Sequence, residues 1–254
     1  MSDALPDVSV GRVLADATRI YFASFPRFAL VAILAHLPVM AVDAIDVMNA
    51  STQDELGMGP LARISMFLGT VALAITSAYV VPPVMSALGH REAPSLGQVG
   101  SRIGAALGTA WLTNLIVGLG VLCFIVPGLL ASIWFCVAIP AAVAEGVRAR
   151  DAMQRSSALT EGHRGTAFAL NIAYGLLLLL TIVLTIAPGV WLGFSAEESG
   201  QPLSEAVLVL TTVLPTAVQA LVVAYGSALF TVFYARLRGV KDGVDADELA
   251  RVFE

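Results

Sequence analysis

Six long apolar stretches alternate with shorter polar segments along the chain. About 20 consecutive apolar residues in a helix suffice to cross the hydrocarbon core of a bilayer. The pattern therefore predicts an all-α fold, a polytopic membrane helix bundle with six transmembrane helices in one integral membrane domain, residues 1–254. The predicted spans are residues 28–46, 62–87, 107–126, 129–146, 166–187 and 206–235.

An amphipathic segment precedes the first span. In residues 9–24, Val13, Ala17 and Tyr21 recur at helical spacing, while Arg12 falls on another face. A helix with one apolar and one charged face lies along the membrane surface. The segment therefore predicts an interfacial helix.

Similar segments precede the third and fifth spans. Ser95 and Gln98 form a capping-box pattern that opens a second predicted interfacial helix, residues 95–106. Residues 147–161 predict a third, and the C-terminal tail 236–254 predicts a separate short helix. An interfacial helix followed by two spans thus occurs three times, which indicates three repeated hairpins.

Prolines and glycines predict where the spans bend, end or pack. Pro82-Pro83 should kink or break the second span. Pro127-Gly128 predicts the turn between the third and fourth spans, and Pro188-Gly189 predicts the end of the fifth. A row of small residues predicts close packing of the third span on a neighbour. The row consists of Gly100, Gly104 and Gly108.

The distribution of basic residues predicts the orientation. Of the 14 lysines and arginines, all but Arg63 fall in segments that the six spans place on one side. Segments that retain basic residues stay cytoplasmic, so both termini are predicted to be cytoplasmic. The composition, 57% hydrophobic and 13% charged, is unlike that of a soluble domain. The preference for arginine over lysine suggests a GC-rich bacterial genome, and the one-sided basic residues then predict a protein of the inner membrane.

A few polar residues fall inside the predicted spans. His36, Asn114 and Gln219 should lie near mid-depth, where they either hydrogen-bond between helices or line a water-filled cavity. Glu145 lies near the cytoplasmic boundary, and the sequence predicts a local ion pair with Arg148. On the third predicted interfacial helix, Asp151 and Arg155 are four residues apart, the spacing of a helix-surface pair.

No motif in the sequence supports catalysis. His163-Arg164-Gly165 matches three residues of a phosphodiesterase motif, but no metal-binding carboxylate or second histidine lies nearby. Cys123 and Cys136 lack metal-ligand spacing and are expected to be buried, unreactive thiols. We therefore expect a non-enzymatic protein with no cofactor and no metal site.

Two segments carry a family resemblance. Residues 152–164 read Ala-Met-Gln-Arg-Ser-Ser-Ala-Leu-Thr-Glu-Gly-His-Arg, and residues 233–245 follow the pattern Phe-Tyr-x-x-Leu-Arg-x-x-Lys-x-Gly-x-Asp. They resemble stretches of the membrane domain of the glycerophosphoryl diester phosphodiesterase type and of related uncharacterised bacterial integral membrane proteins. The resemblance implies a six-span helical membrane domain. It implies no catalysis, because this chain carries no phosphodiesterase domain.

Two functions follow as hypotheses. The first is a scaffold that binds anionic lipid headgroups, or another membrane or cytoplasmic protein, through its basic face. The alternative is a small-solute channel or transporter with a polar midplane route past His36, Asn114 and Gln219. Neither hypothesis involves nucleic acid. The candidate headgroup or partner contacts are Arg155, Ser156, Thr160, Arg164, Arg236, Arg238 and Lys241.

Overall fold

The computed structural model describes residues 7–49, 59–89, 96–200 and 203–253, and these contain helices and no strands. The predicted all-α class is confirmed. The helices are α1 (Val10–Ala23), α2 (Phe25–Asn49), α3 (Pro60–Ala87), α4 (Leu96–Cys123), α5 (Ile125–Phe135), α6 (Ala138–Glu145), α7 (Ala149–Thr160), α8 (Arg164–Ser199) and α9 (Glu205–Phe253).

Six candidate spans emerge from these helices, as the hydropathy pattern predicts. Five are single helices, and the fourth, Ile125–Glu145, is assembled from α5 and α6 together. Helices α1 and α7 form at the two predicted segments 9–24 and 147–161, and their position along the membrane surface stays a prediction. The apolar face of α1 buries Val13, Ala17 and Tyr21, and α1 packs on α9.

Two segments that the sequence predicts as separate helices are continuous with the neighbouring spans. The second interfacial helix is not separate, because α4 runs unbroken from Leu96 to Cys123, and its proposed cap at Ser95 lies outside the described residues. The tail is likewise continuous with the sixth span in α9. A polar segment marks the place where the chain is expected to leave the membrane. It does not end a helix, because polar residues leave the backbone hydrogen bonds intact.

The predicted end of the fifth span at Pro188-Gly189 is wrong, because helix α8 continues through Pro188 to Ser199. Helix α3 continues through Pro82-Pro83, so of the predicted kink or break the break does not occur. Neighbouring helices and local adjustments stabilise proline inside membrane helices. Gly189 has a packing role instead, since a Cβ there would lie 3.1 Å from the Cβ of Thr211 on α9.

The turn between the third and fourth spans lies at Phe124, not at Pro127-Gly128. Phe124 is extended, with φ −158° and ψ 138°, and Pro127 and Gly128 already belong to the first turn of α5. Gly128 instead lets α5 approach α4, because a Cβ on Gly120 would lie only 2.8 Å from the Cα of Gly128. The predicted glycine row contributes less, since only Gly108 has a neighbour within 4 Å of an added Cβ.

The fourth span is interrupted inside the membrane segment. Helix α5 ends at Phe135 and α6 begins at Ala138, a break that the sequence analysis does not predict. Pro140 accounts for it, because proline cannot donate to the carbonyl four residues earlier, that of Cys136, and its ring crowds that oxygen. The missing N–H itself falls in the first turn of α6, where no intrahelical partner exists.

The hydrophobic core occupies one half of the bundle. On α3 the buried residues lie from Ala72 to Met85, and on α9 they include Ala220, Ala224, Ala228, Phe233 and Leu237. The alanines let α2 and α3 pack closely on α9. The other half of the bundle is looser, and this difference leaves space for the cavities described below.

Candidate functional site

Basic residues gather at the densely packed end of the bundle, here named the basic end. Arg102 on α4 donates hydrogen bonds to the carbonyl oxygens of Val143 and Ala144. These carbonyls belong to the last turn of α6, where the helix dipole favours a cation. Gly146, at φ 68°, ends α6 and lies against the Arg102 guanidinium.

An ion-pair network between helices begins at Glu145, the last residue of α6. Arg155 Nε on α7 donates to Glu145 Oε1 at 2.9 Å, and Arg155 Nη2 donates to Asp242 Oδ1 at 2.8 Å. Tyr234, fully buried on α9, donates to the same Glu145 oxygen at 2.7 Å. Arg238 joins Asp242 at 3.1 Å. The network therefore connects α6, α7 and α9.

The local pairs that the sequence suggests are replaced by longer-range ones. Glu145 pairs with Arg155 rather than Arg148, and Arg155 does not pair with Asp151, four residues before it. Burial alone would lower the pKa of Arg155, but the hydrogen bonds that it donates to Asp242 and Glu145 outweigh burial and raise the pKa. Arg155 therefore stays charged.

Three further candidate basic residues differ in their surroundings. Arg236 pairs with Asp16 of α1 and also donates to the backbone oxygen of Asp7, so it holds the N-terminal helix against α9. Arg164 is exposed, with its guanidinium carbon 5.7 Å from the centre of the Trp134 ring. Lys241 is half-buried.

Ser156 and Thr160 are fully buried, which corrects the expectation that their hydroxyls reach lipid headgroups. Ser156 Oγ donates to the Trp134 carbonyl at 2.8 Å and accepts from the Val137 N–H at 3.3 Å. It thereby satisfies backbone groups on both sides of the break between α5 and α6. Thr160 donates to the backbone oxygen of Ser156 at 3.0 Å.

Ser156→Ala should destabilise the protein by about 1–3 kcal/mol, because it leaves buried backbone groups at the break without a partner. Ser157→Ala, one residue along the same helix, is the control and should have little effect. The free energy of unfolding in mixed micelles is measured for both variants. Equal stability of the two would show that Ser156 does not support the break.

An open cleft of about 490 Å³ lies between the helices, toward the end opposite the basic end; we name it the distal cavity. Helices α2, α3, α4, α8 and α9 contribute to its wall. His36, Asn114 and Gln219, which the sequence places near mid-depth on three different spans, all line it. The three residues therefore converge on one space.

The amides of this cavity are free to bind. Within the described parts of the chain, the side chains of Asn114 and Gln219 have no hydrogen-bond partner, and Asn114 is exposed. His36, 5% exposed, donates from Nδ1 to its own-helix Ala32 carbonyl at 2.8 Å. An unpaired amide inside a membrane is costly, so these groups favour water or a solute in the cavity.

A carboxylate lies beside the distal cavity. Asp43 accepts hydrogen bonds from Ser65 at 2.5 Å and from Thr216 at 2.9 Å. Thr216 also lines the cavity, whereas Asp43 does not. The two hydroxyls come from α3 and α9, so Asp43 of α2 connects three helices.

A second cavity, the proximal cavity, of about 430 Å³, lies nearer the basic end. The helix break contributes Cys136 to its wall, and α8 contributes Asn171 and Tyr174. Cys123 is exposed, so the expectation of a buried thiol is wrong there, whereas Cys136 is partly buried. Gly226 on α9 makes room for the Tyr174 ring, since a Cβ there would lie 2.5 Å from a ring carbon.

Comparison with protein-family models, with curated proteins and with solved structures finds no match. The class of the protein therefore follows from its fold alone. Six helices that are long and apolar enough to cross a membrane define an integral, multi-pass membrane protein. The resemblance to the phosphodiesterase-associated membrane domain stays a prediction.

Proposed function

We propose that this membrane protein is a channel or transporter for small solutes, with the distal cavity as its binding site. The observation that supports this is that His36, Asn114 and Gln219 converge on one cavity. The side-chain amides of Asn114 and Gln219 are unpaired, and His36 bonds only within its own helix. If the three served only to join helices, their polar groups would bond to neighbouring helices. The cavity volume is in the range of small-molecule sites.

The interrupted fourth span also favours transport. Non-helical backbone at membrane depth is tolerated where protein buries it or where it lines a cavity, and discontinuous helices are common at transporter binding sites. Here the break at Cys136 lines the proximal cavity. A solute that left the distal cavity would reach the broken helix next.

The scaffold hypothesis has less support from the geometry. Arg155 and Arg238 already bind acids of their own chain, and Ser156 and Thr160 are buried. Arg164, which is exposed, is the strongest remaining candidate for a contact with a lipid headgroup. Binding of anionic lipids and of partner proteins stays a prediction, as do the inner-membrane location, the cytoplasmic termini and the absence of catalysis.

Gln219→Leu should reduce solute flux about fivefold, because it removes one hydrogen-bonding group of about 1 kcal/mol from the cavity. The measurement is light scattering of proteoliposomes with glycerol, urea and acetamide, and ion flux with K⁺ and Cl⁻. Thr212→Val on the same helix is the control, since Thr212 bonds to its own helix at Leu208 and does not line the cavity.

Flux of at least one of these solutes above that of protein-free liposomes, reduced in Gln219→Leu and retained in Thr212→Val, is the expected result. If the wild-type protein moved none of them faster than protein-free liposomes, the transport proposal would be overturned. Equal flux in the two variants would separate transport from the distal cavity and would likewise contradict the proposal.

A further inference from the structure

The two cavities meet at three shared residues. Leu73 on α3, Asn114 on α4 and Val223 on α9 line both the distal and the proximal cavity. Asn114 is the polar member of this set, between two aliphatic side chains. The two cavities therefore adjoin at this amide.

The walls of both cavities are free of formal charge apart from any charge on His36. Among the residues that the structure describes, neither lining includes Asp, Glu, Lys or Arg. The nearby carboxylates are already engaged, Asp43 by Ser65 and Thr216, and Glu145 by Arg155 and Tyr234. Transfer of an ion into a low-dielectric site without a countercharge is strongly unfavourable, whereas a neutral polar molecule needs only hydrogen-bond partners.

The polar groups at the junction favour a solute that both donates and accepts hydrogen bonds. The hydroxyls of Thr70 and Thr185 donate to carbonyls of their own helices. The unpaired amide of Asn114 keeps both its donor and its acceptor groups.

We infer that the solute is an uncharged small molecule of the amide or alcohol class, and that Asn114 determines selectivity at the junction of the two cavities. This inference rests on the proposed transport function and specifies its substrate class. The amide binds the neutral solute at the junction, and the aliphatic walls of Leu73 and Val223 exclude hydrated ions.

The test uses full-length protein in liposomes, with urea, acetamide and glycerol as neutral probes and K⁺ and Cl⁻ as ionic probes. The wild type should pass at least one neutral probe and give no ion current above protein-free membranes. Asn114→Leu should reduce neutral flux about thirtyfold, the effect of removing two hydrogen bonds of about 1 kcal/mol each. Asn114→Gln, which keeps the amide, should retain most of it.

A charge variant probes selectivity directly. Asn114→Asp keeps the size of the side chain but adds a carboxylate, so it should lower neutral flux and introduce K⁺ current. Gln154→Glu, the same amide-to-acid change at an exposed position on α7, is the control and should change neither. The unfolding temperature of each variant shows whether it is folded; Asn114 has no bonds to lose.

The outcomes separate the two proposals. K⁺ or Cl⁻ current through the wild type that Gln219→Leu reduces would overturn the neutral-solute inference and leave transport intact. Unchanged neutral flux in Asn114→Leu would overturn the role of Asn114. Absence of flux for every probe would overturn the transport proposal and this inference with it.

Discussion

Gly128→Ala is expected to destabilise the hairpin of α4 and α5 by about 3 kcal/mol or more, because the added methyl group has no space. A Cβ on Gly128 would overlap the Val121 side chain and lie 2.5 Å from the backbone nitrogen of Val121. Backbone cannot move aside as the end of a flexible side chain can. The unfolding temperature of the purified protein, with its size-exclusion profile, measures the effect.

Gly118→Ala provides the matched control on α4. An added Cβ at Gly118 meets nothing within 4 Å, and alanine is a better helix former than glycine by about 1 kcal/mol. This variant should be as stable as the wild type or more stable. If Gly128→Ala were as stable as Gly118→Ala, the close approach of α4 and α5 would not exist in the membrane protein.

Arg155→Ala should cost about 2–3 kcal/mol, since it leaves the carboxylates of Glu145 and Asp242 without their shared cation. The value is below that of a fully buried pair because the Arg155 side chain is 31% exposed and solvent screens part of the interaction. Equilibrium unfolding in mixed micelles is the measurement. Adding Glu145→Gln should restore part of the loss by removing one unpaired charge.

Arg150→Ala is the control for this experiment. Arg150 lies on the same helix, is exposed, and makes no ion pair with the described side chains. Its replacement should change stability by less than about 0.5 kcal/mol. A loss in Arg155→Ala no greater than this would mean that the network does not stabilise the fold, and would leave Arg155 free for the headgroups of the scaffold hypothesis.

The sequence predicts the spans well because apolar length is a local property. It predicts the helix ends poorly. Pro140 and Pro188 are both prolines inside apolar segments, yet only Pro140 lies four residues after a break. The difference comes from another helix, since Ser156 supplies partners to the backbone freed at the break. No rule based on neighbouring residues contains that information.

The candidate site is predictable only in part, because its residues are visible in the sequence but their contacts depend on other helices. Polar residues at mid-depth are conspicuous in an apolar span, which is why His36, Asn114 and Gln219 can be singled out. Their convergence depends on the rotation and packing of three helices, which periodicity leaves open. The ion pairs show this more strongly, because the partner of Arg155 at Asp242 is 87 residues away, while sequence reasoning favours Asp151.

Helix α9 contains 49 residues and is therefore about 74 Å long, more than twice the thickness of the hydrocarbon core. No proline follows Pro215, so the helix runs from the cavity wall at Gln219 to Phe253 without a proline-induced kink. One continuous helix therefore carries both Arg238 and Gln219. A displacement of the segment that holds Arg238 would displace Gln219 as well, so the ion-pair network and the wall of the distal cavity are mechanically coupled.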